Sequence, residues 1–402
     1  MLIDKTGSMK IKKIITFFLV IFICLLNANA QRPFPTKDWQ ASAPETEKMN
    51  NDILKEFDKD IRTGKFGIVD EMFVTRHGSI VYQKKYLHSY DKLYGEQVKK
   101  EGGLNHFPLG GPYNYYNSWW HPYYHGSQLH SLQSVTKSVV SVVVGIAVAR
   151  NEFPDLSATV LSFFDTALVK NIDDRKRRMT IRHLLTMTGG FEWEEWNAVE
   201  DPQNDCFKME GLFDWVQYVI DKPMAAEPGQ RFKYSSGGSQ LLSYIFRKAT
   251  GEDIEEYAVE HLFKPLGIDQ HYWKRTPTGL ADTEGGLYLK AADLAKIGYL
   301  YLREGNLNGK QLVTANWVKE SVAPSATIFQ SMKYGYKWWL IPYGPDKTKY
   351  AWCCRGFGDQ SVIIIPEYDI VAVFTGWNII EGGISLRTEE AIKRVVSAVL
   401  DK

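Results

Sequence analysis

The chain has 402 residues, 44% hydrophobic and 24% charged, a balance that buries a sizeable core and excludes a disordered, collagen-like or multi-span membrane chain. Its 48 Lys and Arg against 47 Asp and Glu leave a formal charge of +1, too little to gather nucleic acid or an anionic membrane, so a small-molecule or short-peptide partner suits it better. Aromatic residues reach 13%, which is ordinary core material as well as the lining of a ring-walled cleft.

Lys10, Lys12 and Lys13 precede an unbroken apolar run from Ile14 to Leu26, and Ala28-Asn29-Ala30 follows with the small-x-small pattern of a cleavage site. These features predict a secretory signal peptide over residues 1–30, cut before Gln31, and therefore an exported product, periplasmic or secreted. The run is short of the roughly 20 residues a membrane span needs, so no permanent membrane anchor is expected. Phe22 and Ile23 are too large for the lipid-attachment signal that Cys24 would require. Removing this segment leaves Cys206, Cys353 and Cys354, an odd number in an oxidising compartment, so at least one thiol stays free or pairs between chains. Vicinal Cys353 and Cys354 read either as a strained ring disulfide or as two small buried hydrophobes on a strand.

From Glu45 to Ile61 the positions Met49, Ile53, Leu54, Phe57 and Ile61 recur at helical spacing, with Gly64 as a stop. Ile68 to Val74 and Ile80 to Lys84 flank Arg76-His77-Gly78-Ser79 and read as two strands joined by a tight turn. Gly102 to His130, rich in Gly, Tyr, Trp and His, reads as a long irregular loop. Most of the stretch from Ser138 to Leu280 reads as helices and loops. Ser361 to Ile365 and Ile370 to Thr375 form a second hairpin around Pro366-Glu367-Tyr368-Asp369, and the tail from Leu386 through Val399 returns to helical period.

Strands at both ends and helices in the middle predict an α+β fold, an α/β sandwich: one antiparallel sheet built from both chain ends, flanked by the terminal helices, with a mainly helical region inserted. The predicted boundaries are 31–137 with 281–402 for the sheet domain and 138–280 for the helical insertion. A cleft is expected where the two meet.

Ser134-Val135-Thr136-Lys137 opens the apolar helix Ser138 to Ala149. A spacing of three puts the Ser and Lys side chains on one helical face. A serine hydroxyl must lose its proton to a base before it attacks, and a lysine serves only if burial or a neighbouring cation discourages its ammonium. The first turn of a helix also offers free N–H groups to a developing oxyanion. S-x-x-K recurs by chance, and its bland reading is an exposed Ser and Lys near a helix start. The apolar helix argues against that, because a buried Lys is costly unless used. One hundred residues on, Phe232-Lys233-Tyr234-Ser235-Ser236-Gly237-Gly238 lies on a loop entering a helix. Tyr234 there is a candidate proton relay; the alternative is a packed Tyr followed by an N-capping Ser. Third, Cys354-Arg355-Gly356-Phe357-Gly358-Asp359-Gln360 precedes a strand, where glycines admit a substrate close to the backbone. The amides of Ser134 and Phe357 are candidates for an oxyanion hole; the alternative is a glycine-rich bulge.

With these three motifs in order, the chain resembles the serine β-lactamase and penicillin-binding-protein superfamily, in the branch of class C β-lactamases, D,D-peptidases, family VIII esterases and 6-aminohexanoate-dimer hydrolases. Met179 to Gly190, Pro265-Leu266-Gly267-Ile268, Gly285-Gly286-Leu287 with Ala292-Asp293-Leu294-Ala295, and Tyr334 to Trp339 extend the resemblance over nearly all of the chain after residue 30. The resemblance implies a β-lactamase/transpeptidase-like fold and an acyl-enzyme hydrolase with Ser134, Lys137 and Tyr234 as catalytic residues, Gly356, Phe357, Ser236 and Arg355 around oxyanion and substrate, and no cofactor or metal. Cys354-Arg355-Gly356 stands where β-lactamases have Lys-Thr-Gly, and Ser236 stands in place of an Asn. Both departures lean the expectation toward the esterases and 6-aminohexanoate-dimer hydrolases, with D,D-peptidase or β-lactamase activity, or a non-catalytic binding protein on this fold, as alternatives.

Trp119, Trp120 and Trp193 are candidate cleft walls, with Tyr115, Tyr116 and Trp196 beside them. His106, His121, His125 and His130 share one loop and suggest a metal, but no Cys or carboxylate pattern accompanies them, so solvated or hydrogen-bonding histidines are expected. No G-x-S-x-G elbow is present, which removes the α/β-hydrolase reading.

Overall fold

The β-branched runs at the two ends of the chain pair with each other. The computed structural model describes residues 32–100, 104–105, 110–196, 201, 203–329, 331–380 and 383–401, and Pro35 onward forms a single unit. The predicted signal peptide and His106 lie outside the described residues. Among the described residues, no helix is long and apolar enough to cross a membrane.

Strands β1 (Val69–Arg76) and β2 (Ser79–Lys85) form the first hairpin. Two short strands, β3 (His130–Ser131) and β4 (Tyr272–Trp273), and a three-residue strand, β5 (Leu287–Leu289), make a small separate sheet in the order β3-β5-β4. The main sheet is completed by β6 (Ala326–Phe329), β7 (Met332–Tyr334), β8 (Trp339–Tyr343), β9 (Lys349–Gly356), β10 (Gln360–Ile365) and β11 (Ile370–Gly376). Its eight strands run β2-β1-β11-β10-β9-β8-β7-β6, every neighbour antiparallel. Phe73 of β1 stands opposite Val373 of β11, so the two chain ends zip together between the second and third strands of the sheet. The fold class read from the sequence is the fold observed. β6 to β8 were not foreseen, nor was the small sheet; the strands of the small sheet, two or three residues long, carry too few alternations to register as a pattern.

Side chains on the main sheet alternate between two covers, as a pleat requires. Phe374, Ile363, Ile365 and Cys353 face helices α1 (Asn51–Arg62) and α7 (Thr388–Ser397). Residues 45–48, expected to open α1, form a turn instead. Asn50 caps the helix, its side chain accepting from the amides of Asp52 at 2.9 Å and Ile53 at 3.2 Å. On the opposite face lie α2 (Val135–Ala149) and α6 (Ala291–Leu302). Between them in sequence come α3 (Asp205–Glu210), α4 (Trp215–Ile220) and α5 (Ser236–Thr250).

α6 meets the sheet at Gly298, where a Cβ would come within 2.8 Å of Val371 Cγ1 and 3.1 Å of Val362 Cγ1. Gly298→Val is therefore expected to lower stability by about 1–3 kcal/mol through overpacking, read as a lower denaturation midpoint; an unchanged midpoint would contradict this packing.

Candidate active site

α2 is mostly apolar, with every residue from Val135 to Ala147 buried. A lysine inside such a helix needs partners for its charge. Lys137, 1% exposed, finds them: its Nζ donates to Ser134 Oγ at 2.9 Å and to the Glu284 carbonyl at 2.5 Å, and lies 3.5 Å from Glu284 Oε2. Ser134 sits half-buried just ahead of the first helical turn, where the amide has no intrahelical acceptor. The preceding residue, Gln133, is held at φ +48°, a conformation that costs a non-glycine residue energy. Its side chain donates to Ser131 Oγ at 2.9 Å.

The second motif arrives through hydrogen bonds to Met187. Its carbonyl accepts from the Lys233 amide at 2.8 Å and its Sδ from the Ser235 amide at 3.3 Å. Ser235 caps α5 by accepting from the Gly238 amide at 3.0 Å, so the packing-and-cap alternative holds structurally. Tyr234 nevertheless meets the Ser–Lys pair. Its ring centroid is 5.2 Å from Lys137 Nζ, which places the phenol beside the Ser134–Lys137 pair. Burial pushes the Tyr234 phenol up, and the Lys137 ammonium only partly opposes this. Gly237 is required where it stands, because a Cβ would come within 2.6 Å of both Trp193 Cη2 and Val219 Cγ2.

Burial opposes the Lys137 charge, as the sequence reading expects, but Tyr234, Glu284 and Glu195 more than offset it and hold the amine above its ordinary value. A second buried amine lies nearby. Lys337 Nζ donates to Ser239 Oγ at 2.9 Å, and burial followed by the charge of Lys137 pushes it well below the usual lysine range. Glu195, Glu284 and Lys337 were not singled out from the sequence. Glu284 precedes the quoted Gly285-Gly286 pair, and that position was the one available signal.

In the third motif, Gly356 ends β9. A Cβ there would come within 2.4 Å of the Leu132 carbonyl oxygen, so this strand end touches backbone two residues before Ser134. Gly358 and Asp359 turn the chain at φ +80° and +74°. Gln360 Nε2 fixes the turn by donating to the carbonyls of Phe357 at 3.3 Å and Gly358 at 3.2 Å. The half-buried Phe357 ring packs edge-on against Tyr115, centroids 6.3 Å apart.

The remaining candidates are committed elsewhere. Arg355 lies 3.6 Å from Glu389 Oε1 and over the Trp339 ring at 5.1 Å. Ser236 donates its hydroxyl to Glu195 Oε1 at 3.0 Å and its amide to Oε2 at 2.7 Å. Trp193 is buried in the packing behind Gly237. Trp119 is exposed and stacks on His125, and Trp120 leans on Tyr124 and Tyr272. The indole rings beside Tyr234 are instead Trp339 at 5.7 Å and Trp196 at 6.3 Å. His130 pairs with Asp70 at 3.0 Å, His121 bonds the Pro112 carbonyl and Tyr288, and His125 stacks on Tyr124. Cys353 and Cys354 are free buried thiols on β9.

A family model described as Beta-lactamase matches residues 72–376. The chain is 24% identical over 296 residues to the 6-aminohexanoate-dimer hydrolase of Paenarthrobacter ureafaciens, covering 66% of this chain and 73% of that protein. Its fold is similar to a family VIII carboxylesterase, with TM-score 0.59 and 14% identity over 90% of this chain and 98% of the other. It is also similar to a penicillin-binding protein from Bacillus halodurans, with TM-score 0.58 and 16% identity over 87% and 99%.

The contact at Gly356 yields a specific expectation. Gly356→Val must displace the end of β9 from Leu132, and kcat/KM should fall about 100-fold, the scale of one lost oxyanion donor, while the chain stays folded by circular dichroism. Full activity in a folded variant would contradict this role for the strand end.

Proposed function

The chain belongs to the Beta-lactamase family, and from that premise we propose that it is an exported serine hydrolase cleaving an amide or ester bond of a small molecule or short peptide through an acyl-enzyme on Ser134. The observation that carries the reading is the 2.9 Å contact between Lys137 Nζ and Ser134 Oγ, with the Tyr234 ring centroid 5.2 Å from the same Nζ. Ser134 Oγ attacks the carbonyl carbon while its proton passes to the amine–phenol pair. The amides of Ser134 and Phe357 receive the oxyanion, Tyr234 returns a proton to the leaving group, and water releases the acyl chain. The pattern of residues 1–30 supports export.

Substrate preference follows from what is committed. With Arg355 engaged by Glu389 and Ser236 by Glu195, neither is poised for the carboxylate and acylamido groups of a β-lactam. This favours esters and linear amides, in keeping with the hydrolase and carboxylesterase among the similar proteins.

A fluorophosphonate should add covalently to the wild-type protein by intact mass and leave Ser134→Ala unmodified; no adduct on the wild type would end the reading. Tyr234→Phe should lower kcat on p-nitrophenyl esters by about 100-fold. In a panel of esters, linear amides, D-Ala-D-Ala peptides and nitrocefin, turnover is expected for the first two; preference for nitrocefin or the D,D-peptide would overturn the assignment of substrate class.

A further inference from the structure

Lys137 cannot accept the Ser134 proton while it remains an ammonium, and its surroundings favour the ammonium. The groups behind it hold somewhere for that proton to go. Glu284, on the loop entering β5, lies against Nζ. Behind Glu284 are Glu210 at the end of α3 and Cys206 one turn earlier, their Sγ and carboxylate oxygens within 4.8 Å of one another. Glu210 and Glu284 thus bring two carboxyl groups together in a buried setting, and the Tyr115 hydroxyl donates to Glu210 Oε1 at 2.7 Å. Two buried carboxylates this close repel each other, which favours one proton held between them.

Among the described residues, the charged groups acting on Glu284 are Asp282, Lys137 and Glu210. Asp282, from the same loop, lies 3.8 Å from Lys274 Nζ and accepts from the Tyr113 hydroxyl at 3.3 Å. Lys274 thus answers Asp282, and Lys137 is left facing the carboxyl pair. Burial and the charge of Asp282 push Glu284 upward, with Lys137 opposing. Cys206 is pushed upward by burial and stays a thiol.

Resting on the serine-hydrolase reading, we propose that Glu284 takes a proton from the Lys137 ammonium before Ser134 attacks, with the Glu210–Glu284 carboxyl pair as the internal proton store. An N–H bond of Lys137 breaks and an O–H bond forms on Glu284 Oε2. An ammonium beside a carboxyl pair sharing one proton becomes a neutral amine beside two carboxylic acids. No proton or net charge leaves the site, and burial, which penalises both charges of the starting pair, favours the neutral products. The free amine then receives the Ser134 proton. Glu284 acts through Lys137 without touching substrate, so it is a positioning residue for the proton.

The test is the pH dependence of kcat/KM on a p-nitrophenyl ester, with phosphonate labelling of Ser134 as the independent check. Because the proton exchange is internal, the wild type should show an acid limb in the carboxylic-acid range and a flat rate above it. Glu284→Gln must instead lose the Lys137 proton to solvent. Its limb should move toward alkaline pH by about four units, leaving activity down about 100-fold at pH 7 and recovering as pH rises. Glu284→Asp should restore the wild-type limb. Glu210→Gln, a second variant should Glu284→Gln fail to fold, leaves one carboxylate beside Lys137 and should move the limb toward acid.

An unmoved limb in Glu284→Gln, a limb moving toward acid as for a simple counter-ion, or a pH-independent loss of rate overturns the proposal. So does an unmoved limb in Glu210→Gln. Absence of any Ser134 adduct on the wild type defeats the underlying reading instead, so the two failures are distinguishable.

Discussion

The arrangement depends on one constraint: an ammonium buried in an apolar helix. α2 is buried along most of its length, so the charge must be met largely from other parts of the chain, and what meets it defines the site. Ser134 comes from one helical turn away, Tyr234 from the loop before α5, and Glu284 from the loop before β5. Removing a partner from a buried charge is far more costly than breaking an exposed ion pair, which gives the fold a strong reason to hold these segments together.

Close backbone approach does much of the holding. Gly356 lies against the Leu132 carbonyl, Gly237 against Trp193 and Val219, and Gly298 against the main sheet. Each admits a contact that a single Cβ would block, and each lies in a segment that frames Ser134 or the layer beneath it. The small sheet contributes in the same way: Ser131 pairs with Tyr288, and the Leu287 amide donates to Thr136 Oγ1 at 3.1 Å. This stitches the start of α2 to the loop carrying Glu284.

Acidic groups set the electrostatics. Glu195 bonds to Ser236 at the start of α5, and Glu284 sits beneath Lys137. An amine flanked by carboxyls is not the discouraged ammonium that S-x-x-K chemistry in isolation suggests. The rings near Tyr234, namely Trp196, Phe232 and Trp339, make this side of the site apolar, while Arg355 is drawn to Glu389 and Trp339.

Alternating β-branched runs at both chain ends were enough to determine an antiparallel sheet built from the termini. The three motifs determined which serine, lysine and tyrosine would meet, because the spacing of Ser134 and Lys137 is local and the order of the motifs is that of a known family. What the sequence could not decide was long-range and electrostatic. Glu284 is one of 47 acidic residues, and nothing near it in sequence shows that it is buried against Lys137. Arg355 and Ser236 reveal their commitments only once Glu389 and Glu195, 34 and 41 residues away, are in place. Periodicity and motif spacing act over a few residues and survive in one dimension, whereas burial and Coulomb interactions depend on distances that exist only after the chain has folded.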